Sequence, residues 1–239
     1  MDLDELRRLA AKEELSLNFI AKDEMISRAL SALQGFDDII LKGGTAIHRA
    51  YLRNRRFSED IDVDLVFRGS VREALARTAE IAGSLKGFTV AKPRIMGGTI
   101  RYDLFYMNPL EHRDRIMLEF RVVERASGYS KRIVNFGFVP ADSALLNVYD
   151  VEELIRQKVE CILSRSEGKD FFDLHCLLGL PHSPAAALRG NREEILRRLS
   201  LDKKQVRTVE NTINHYLPRG SRPDWASFLE GLRERVRAY

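Results

Sequence analysis

Apolar positions change their period several times along the chain, and each change marks an element. Over residues 17–35 Leu17, Phe19, Ile20, Met25, Ile26, Ala29, Leu30 and Leu33 fall close to a helical period from Phe19 onward, and Gly35 supplies a stop. Residues 2–13 read as a short charged helix. Asp37-Asp38-Ile39-Ile40-Leu41 then predicts a short buried strand that runs into Lys42-Gly43-Gly44-Thr45, a glycine turn. Thr45 can cap the helix expected over roughly Ala46 to Arg53. At 60–67 (DIDVDLVF) the period drops to two. Asp60, Asp62 and Asp64 take one face and Ile61, Val63 and Leu65 the other, which predicts a strand.

A helix is expected over 71–82. Two strands follow, Thr99–Met107 and Arg115–Val123, and turn chemistry in NPLEHRD between them allows them to pair. After Pro140 the character changes. Over 151–165 Leu154, Ile155, Lys158, Val159, Ile162 and Leu163 share one helical side. Ser166-Glu167-Gly168 breaks that helix, Asp170–Leu178 resumes it, and Pro181 and Pro184 interrupt again. The rest predicts two or three charged helices with a turn near Leu217-Pro218-Arg219-Gly220. The pattern implies an α/β (α+β) fold. A mixed sheet flanked by helices forms residues 1–145 and a helical domain forms 146–239, with a soft boundary near 140–150.

Composition adds bounds rather than chemistry. The 239 residues, 44% of them apolar, can bury one large core or two small ones. Lys and Arg exceed Asp and Glu, 39 to 35, a mild excess that permits an anionic partner without demanding one. The N-terminus is charged and lacks the apolar stretch of a signal peptide, and no apolar run approaches a bilayer span, so the expected location is the cytoplasm, with no membrane partner. Cys161 and Cys176 have no metal spacing and read as idle or buried thiols.

The chemistry concentrates between Lys42 and Leu65. Three aspartates at i, i+2 and i+4 point one way with Cα atoms ~6.5–7 Å apart, so they repel unless a cation sits among them. Asp-x-Asp offers the hard oxygens that Mg²⁺ prefers. An acidic strand facing solvent gives the same pattern, although aspartate is a poor strand former. Gly43-Gly44-Thr45 lets the backbone approach a phosphate, and the following helix would aim its N–H groups at it.

Together these residues resemble the signature of the DNA polymerase β-like nucleotidyltransferases, and more finely that of the AbiEii-type toxins of type IV toxin–antitoxin systems. Lys42-Gly43-Gly44-Thr45-Ala46 is similar to that family's first motif and Arg56-Phe57-Ser58-Glu59-Asp60-Ile61-Asp62 to its second. Lys158 in QKVECILSR and Lys169-Asp170-Phe171-Phe172-Asp173-Leu174 resemble two later motifs, with Lys169 where the family usually has Arg. The last 60 or so residues carry no such match.

The resemblance implies a polymerase β-like core completed by the helical domain, NTP as substrate and Mg²⁺, two ions, as cofactor. Asp60 and Asp62 would be metal ligands. The third carboxylate is Asp103 or Glu119; both lie in otherwise apolar strands, and Glu119 matches the family's later strand better. Asp64 is left a supporting or structural part. Lys42, Gly43, Gly44, Thr45, Ser58 and Lys158 would contact the nucleotide, and Lys158, Asp170 and Asp173 would join the catalytic set. Ser58 could equally satisfy backbone groups at a strand start, Arg56 could stabilise its loop through a carboxylate, and Lys158 could pair with core acids. Asp170 can also cap its helix.

The histidines His48, His112, His175, His182 and His215 show no zinc spacing. Basic clusters at Arg53-Asn54-Arg55-Arg56, Lys131-Arg132, Arg197-Arg198 and Lys203-Lys204 can track an RNA backbone or form solvated surface. The family resemblance makes tRNA or another RNA the leading acceptor and a cognate antitoxin a partner. A small-molecule, antibiotic-modifying nucleotidyltransferase and a non-catalytic RNA-binding protein are the alternatives.

Overall fold

A computed structural model describes residues 1–134, 137–140, 143–165, 167–181 and 186–239. Ser166, His182 and Pro184, read above as part of breaks or as histidine candidates, lie outside the described residues. The chain divides into two compact units, Met1–Tyr149 and Asp150–Tyr239; position 145, expected as the end of the first domain, is the first residue of a strand of unit one.

Unit one begins with helices α1 (Leu3–Lys12) and α2 (Leu17–Leu33), whose N-termini are capped by the side chains of Asp2 and Ser16. Strand β1 (Ile39–Lys42) leads into a single helical turn, α3 (Gly43–Ala46), which continues as a π-helical stretch, Ile47–Tyr51. The helix thus starts at Gly43, and Thr45 lies inside it rather than at its cap. The Thr45 hydroxyl is used elsewhere, as described below. Strand β2 (Ile61–Val66) is followed by α4 (Val71–Gly83), which opens with a Ser70/Glu73 capping box. The short strands β3 (Thr89–Val90) and β4 (Arg94–Met96) precede β5 (Thr99–Met107) and β6 (Arg113–Val123). Strands β7 (Tyr129–Ile133) and β8 (Leu145–Tyr149) complete the unit.

The strands form one mixed sheet in the order β3-β5-β6-β2-β1-β8-β7, with β4 also on β5. β2 runs parallel to β6 and antiparallel to β1, while β1 runs parallel to β8. The β5–β6 hairpin pairs from Thr99↔Arg121 to Met107↔Arg113, and the Asn108 side chain closes its turn by accepting the amides of Leu110 and His112. One face carries the core: Val63, Tyr102, Leu104, Leu118 and Phe120 are buried there, and Tyr102 meets Phe120 edge to face. Helix α4 covers this face, with Thr78 hydrogen-bonded to the Tyr102 hydroxyl. The opposite face holds the charged residues.

Unit two is helical: α5 (Val151–Ser164), α6 (Gly168–Leu178), α7 (Ala186–Arg189), α8 (Arg192–Arg198), α9 (Lys203–Ile213) and α10 (Trp225–Ala238). After Pro181, where two or three helices are expected, four are described. Helix α6 begins two residues before Asp170 and takes Glu167 as its N-cap residue, so Asp170 is not the cap. Its core includes Ile155, Ile162, Phe171, Leu174, Ile195, Ile213 and Leu232. Both cysteines are free.

Candidate active site

The glycine turn and the aspartate strand are built against each other. Lys42 pairs with Asp62 across the β1–β2 ladder, so the chain enters the turn beside the second aspartate. Gly43 has φ +67°, a left-handed conformation, and a Cβ there would overlap the Asp62 carboxylate. A Cβ on Gly44 would meet the Arg56 guanidinium and come within 2.7 Å of the Ser58 hydroxyl. Thr45 is fully buried and donates to the Asp60 backbone carbonyl, with the Ser58 hydroxyl 3.1 Å away. Arg56, also buried, donates to the Phe57 carbonyl. The two sequence motifs are therefore one stitched loop: Thr45, Arg56 and Ser58 join the turn to the start of β2, and the backbone of Gly43 underlies Asp62.

Asp60 and Asp62 lie on the same side of the chain, both partly exposed. In the parallel ladder Asp62 stands directly opposite Glu119. Asp103 shares that face but lies one strand further out and two residues along, opposite Met117. It is nearly buried and held by Arg94 (2.8 Å) and Arg115 (3.4 Å). Glu119 forms an ion pair with Arg101, its ladder partner on β5. Among the described residues no three His, Cys, Asp or Glu side chains converge as a ready metal cluster. Asp60, Asp62 and Glu119 nonetheless bring hard oxygen donors to one face, which fits a magnesium-type ion, and the missing Cβ at Gly43 leaves the Asp62 carboxylate its place.

Behind this row, Asp64 is fully buried and takes four contacts. Arg121 Nε and Nη2 donate at 2.9 and 2.5 Å, Lys42 Nζ lies at 2.7 Å, and the Tyr149 hydroxyl donates at 2.6 Å. Burial pushes the Asp64 carboxyl upward, but Arg121 and Lys42, with Tyr149, outweigh it and hold the group below the ordinary carboxylate value. Asp64 is thus a charged anchor for two cations. Arg101, Arg121 and Tyr149 do not figure in the sequence reading. The two arginines have the parity of Glu119 in their strands, so strand pairing would have placed them; Tyr149 lies in a strand whose apolar run has no period.

In unit two, Lys158 is nearly buried between Asp170 (2.9 Å) and Asp173 (2.8 Å), both fully buried, and Arg165 Nε donates to Asp170 at 2.9 Å. Burial raises the Asp170 carboxyl, yet Lys158 and Arg165 together keep it below its usual value. Burial, with Asp170 close by, pushes the Cys161 thiol up. Lys169 stacks over the Tyr216 ring at 5.2 Å. The basic clusters fare unequally. Arg197 and Arg198 pair with Glu194, Lys131 with Asp37, and Arg132 lies over the Tyr51 ring, whereas Lys203 and Lys204 are exposed. His48 is buried in the π-helical stretch.

The mixed sheet with its flanking helices recurs in solved structures. MenT4, a nucleotidyltransferase toxin from Mycobacterium tuberculosis, superposes with a TM-score of 0.66 at 17% identity, covering 99% of this chain and 88% of that one. An H. pylori protein assigned as a nucleotidyltransferase superposes with a TM-score of 0.58 at 18% identity, covering 94% and 95%. None of the curated proteins matches in sequence. The profile of the family described as "Nucleotidyl transferase AbiEii toxin, Type IV TA system" matches residues 25–238. The chain belongs to this family: it is an AbiEii-type nucleotidyltransferase of the type IV toxin–antitoxin class.

Proposed function

We propose that the enzyme transfers a nucleotide from an NTP to a hydroxyl of an RNA acceptor, with tRNA the leading substrate, and that it acts as the toxin opposed by a cognate antitoxin. One observation carries this reading: Asp62 lies between the glycine turn and Glu119, so phosphate-binding backbone and carboxylates meet at one point. Asp60, Asp62 and Glu119 would hold Mg²⁺, two ions in this reading. Bound there, the metal would neutralise phosphate charge and favour ionisation of the attacking hydroxyl. The acceptor oxygen forms a bond to the α-phosphorus, pyrophosphate leaves with the bonding electron pair, and the acceptor proton passes to solvent or a nearby base. The chain supplies position and charge. The backbone of Gly43 and Gly44 admits the phosphates closely, and Thr45 and Ser58 keep the turn in register with Asp60. Lys42, held by Asp64, sets positive charge at the same end. Lys158, Asp170 and Asp173 are the functional residues proposed for unit two.

The test is incubation with each labelled NTP, Mg²⁺ and total RNA. The expected outcome is label on RNA with one preferred nucleotide, abolished in Asp60→Ala and Asp62→Ala. Full labelling in both variants would sink the site.

A further inference from the structure

The charged face of the sheet does not end at Glu119. A row of ladder partners crosses four strands, Asp62 to Glu119 to Arg101 to Arg94. With strands ~4.8 Å apart, Arg94 stands ~14 Å from Asp62 on a continuous surface. Beside this row, Arg115 pairs with Phe105 and Arg113 with Met107, on the same face by parity. Beyond Asp62, strands β4, β5 and β6 carry five arginines on this face; Arg121 is held by Asp64, and the other four meet two carboxylates, Asp103 and Glu119. Arg94 and Arg115 share the single Asp103, and their side chains are 48% and 49% exposed. Asp103 beneath them is nearly buried and keeps both arginines, but each guanidinium has five N–H donors, and those not turned to Asp103 are left for an incoming phosphate. Arg113 is exposed, and its guanidinium carbon lies over the Phe105 ring, 4.0 Å from the centroid, a cation–aromatic pair at the surface. Met107 at the hairpin end is 63% exposed. Cations with spare donors beside an arginine–aromatic pair are the chemistry that grips an RNA strand: charge for phosphates and a flat surface for an unpaired base. An apolar protein partner would find arginine at most of these positions.

We infer that the β4–β5–β6 face is the docking track for the acceptor RNA, with Arg94 and Arg115 on phosphates and the Arg113–Phe105 pair under a base. This rests on RNA being the acceptor. The track runs straight to Glu119 and Asp62, so a strand lying on it delivers its reacting end to the carboxylates.

The test uses the full-length protein and fluorescence anisotropy with bulk tRNA and with an unstructured oligouridylate of about 20 nucleotides, the length being free to vary. Across a salt series, the triple variant Arg94→Ala, Arg113→Ala, Arg115→Ala should bind tRNA about 10-fold or more weakly near 0.1 M salt and lower the salt slope by about 2. A Lys triple at the same positions should keep the slope and lose about 3-fold, from the missing stack. Removing Lys203, Lys204 and Arg207, an exposed basic set on α9, should change affinity less than about 2-fold. Circular dichroism and melting establish that each variant folds; if the Ala triple does not, the Lys triple and Phe105→Leu, about 3-fold weaker on oligouridylate, carry the test. Equal losses in the two Ala triples, no loss in the β-face variants, or no tRNA binding by the wild type would each overturn the inference. The labelling assay separates the two readings. RNA labelled by the wild type with unchanged binding by the β-face triple refutes the track alone; label on a small metabolite instead of RNA refutes the acceptor, and the track with it.

Discussion

A methyl group at Gly43 would need space that the Asp62 carboxylate holds, at a left-handed φ that L-residues resist. Gly43→Ala should therefore cost about 1–2 kcal/mol of stability and cut nucleotide transfer further than that loss explains, because Asp62 must move. Urea unfolding measured beside turnover separates the two effects. Asp64 has a different part. It is the innermost of three alternating aspartates, and its charge is balanced by Arg121 and Lys42. Asp64→Asn leaves two cations around an uncharged amide and should destabilise unit one by about 3 kcal/mol, as read by urea unfolding. Its folded value is depressed, so its contribution is fully present above about pH 4 and is lost as pH falls through the lower folded value. If Asp64→Asn melts like the wild type while Asp62→Ala alone loses activity, the anchoring role is wrong.

At the scale of elements, the α5–α6 pair is joined by a four-charge cluster in which Lys158, Asp170 and Asp173 are buried and Arg165 is half-exposed. Lys158 is rarely the kind of residue found on an apolar helix side, and here two carboxylates and the nearby Arg165 make it tolerable. Lys158→Met leaves Asp170 and Asp173 buried with Arg165 as the remaining cation among the described contacts. The expected loss is about 3–5 kcal/mol, with partial recovery when Asp173→Asn is added. Trp225, the single tryptophan of the chain, lies in unit two and is nearly buried, so its fluorescence reports this unit. The pairing of Lys158 with acids was open to sequence reasoning, since Lys158 stands on the apolar side of one helix and Asp170 and Asp173 on one face of the next. Strands β5 and β6 were legible because nine or more residues of strand chemistry flank an Asn-Pro turn. Strands β3, β4, β7 and β8 were not: they are two to five residues long, too short for a period; β3 and β4 form on the longer β5, while β7 and β8 pair with each other and β8 with β1.

For the molecule as a whole, acid should act in two stages. His175 packs against Phe228 at 4.2 Å, and burial, with Arg235 close by, lowers its pKa to about 4. Between about pH 6.5 and 4 the unfolded chain holds a proton that the folded chain refuses, so stability falls as pH falls through that window. Because His175 is only half-buried, the loss is held to about 1 kcal/mol. The depressed carboxylates Asp64 and Asp170 add their losses only below about pH 4. Urea midpoints followed by Trp225 at pH 7.5, 5.5 and 4.5 should decline in the wild type and stay level above pH 4.5 in His175→Phe. A level wild-type profile would remove His175 from this account.

The sequence by itself determined the family, the glycine turn and the Asp60/Asp62 ledge, because these depend on local spacing: a turn needing glycine, an alternation of period two, carboxylates at fixed separations. It also left Glu119 and Asp103 as rivals. Only the tertiary structure set Glu119 opposite Asp62 and buried Asp103 between two arginines, since strand register joins residues 57 positions apart and no local pattern encodes it. The same is true of Thr45. Its spacing suggests a helix cap, yet the fold brings the Asp60 carbonyl to its hydroxyl, and a partly buried carbonyl left without a donor is costly.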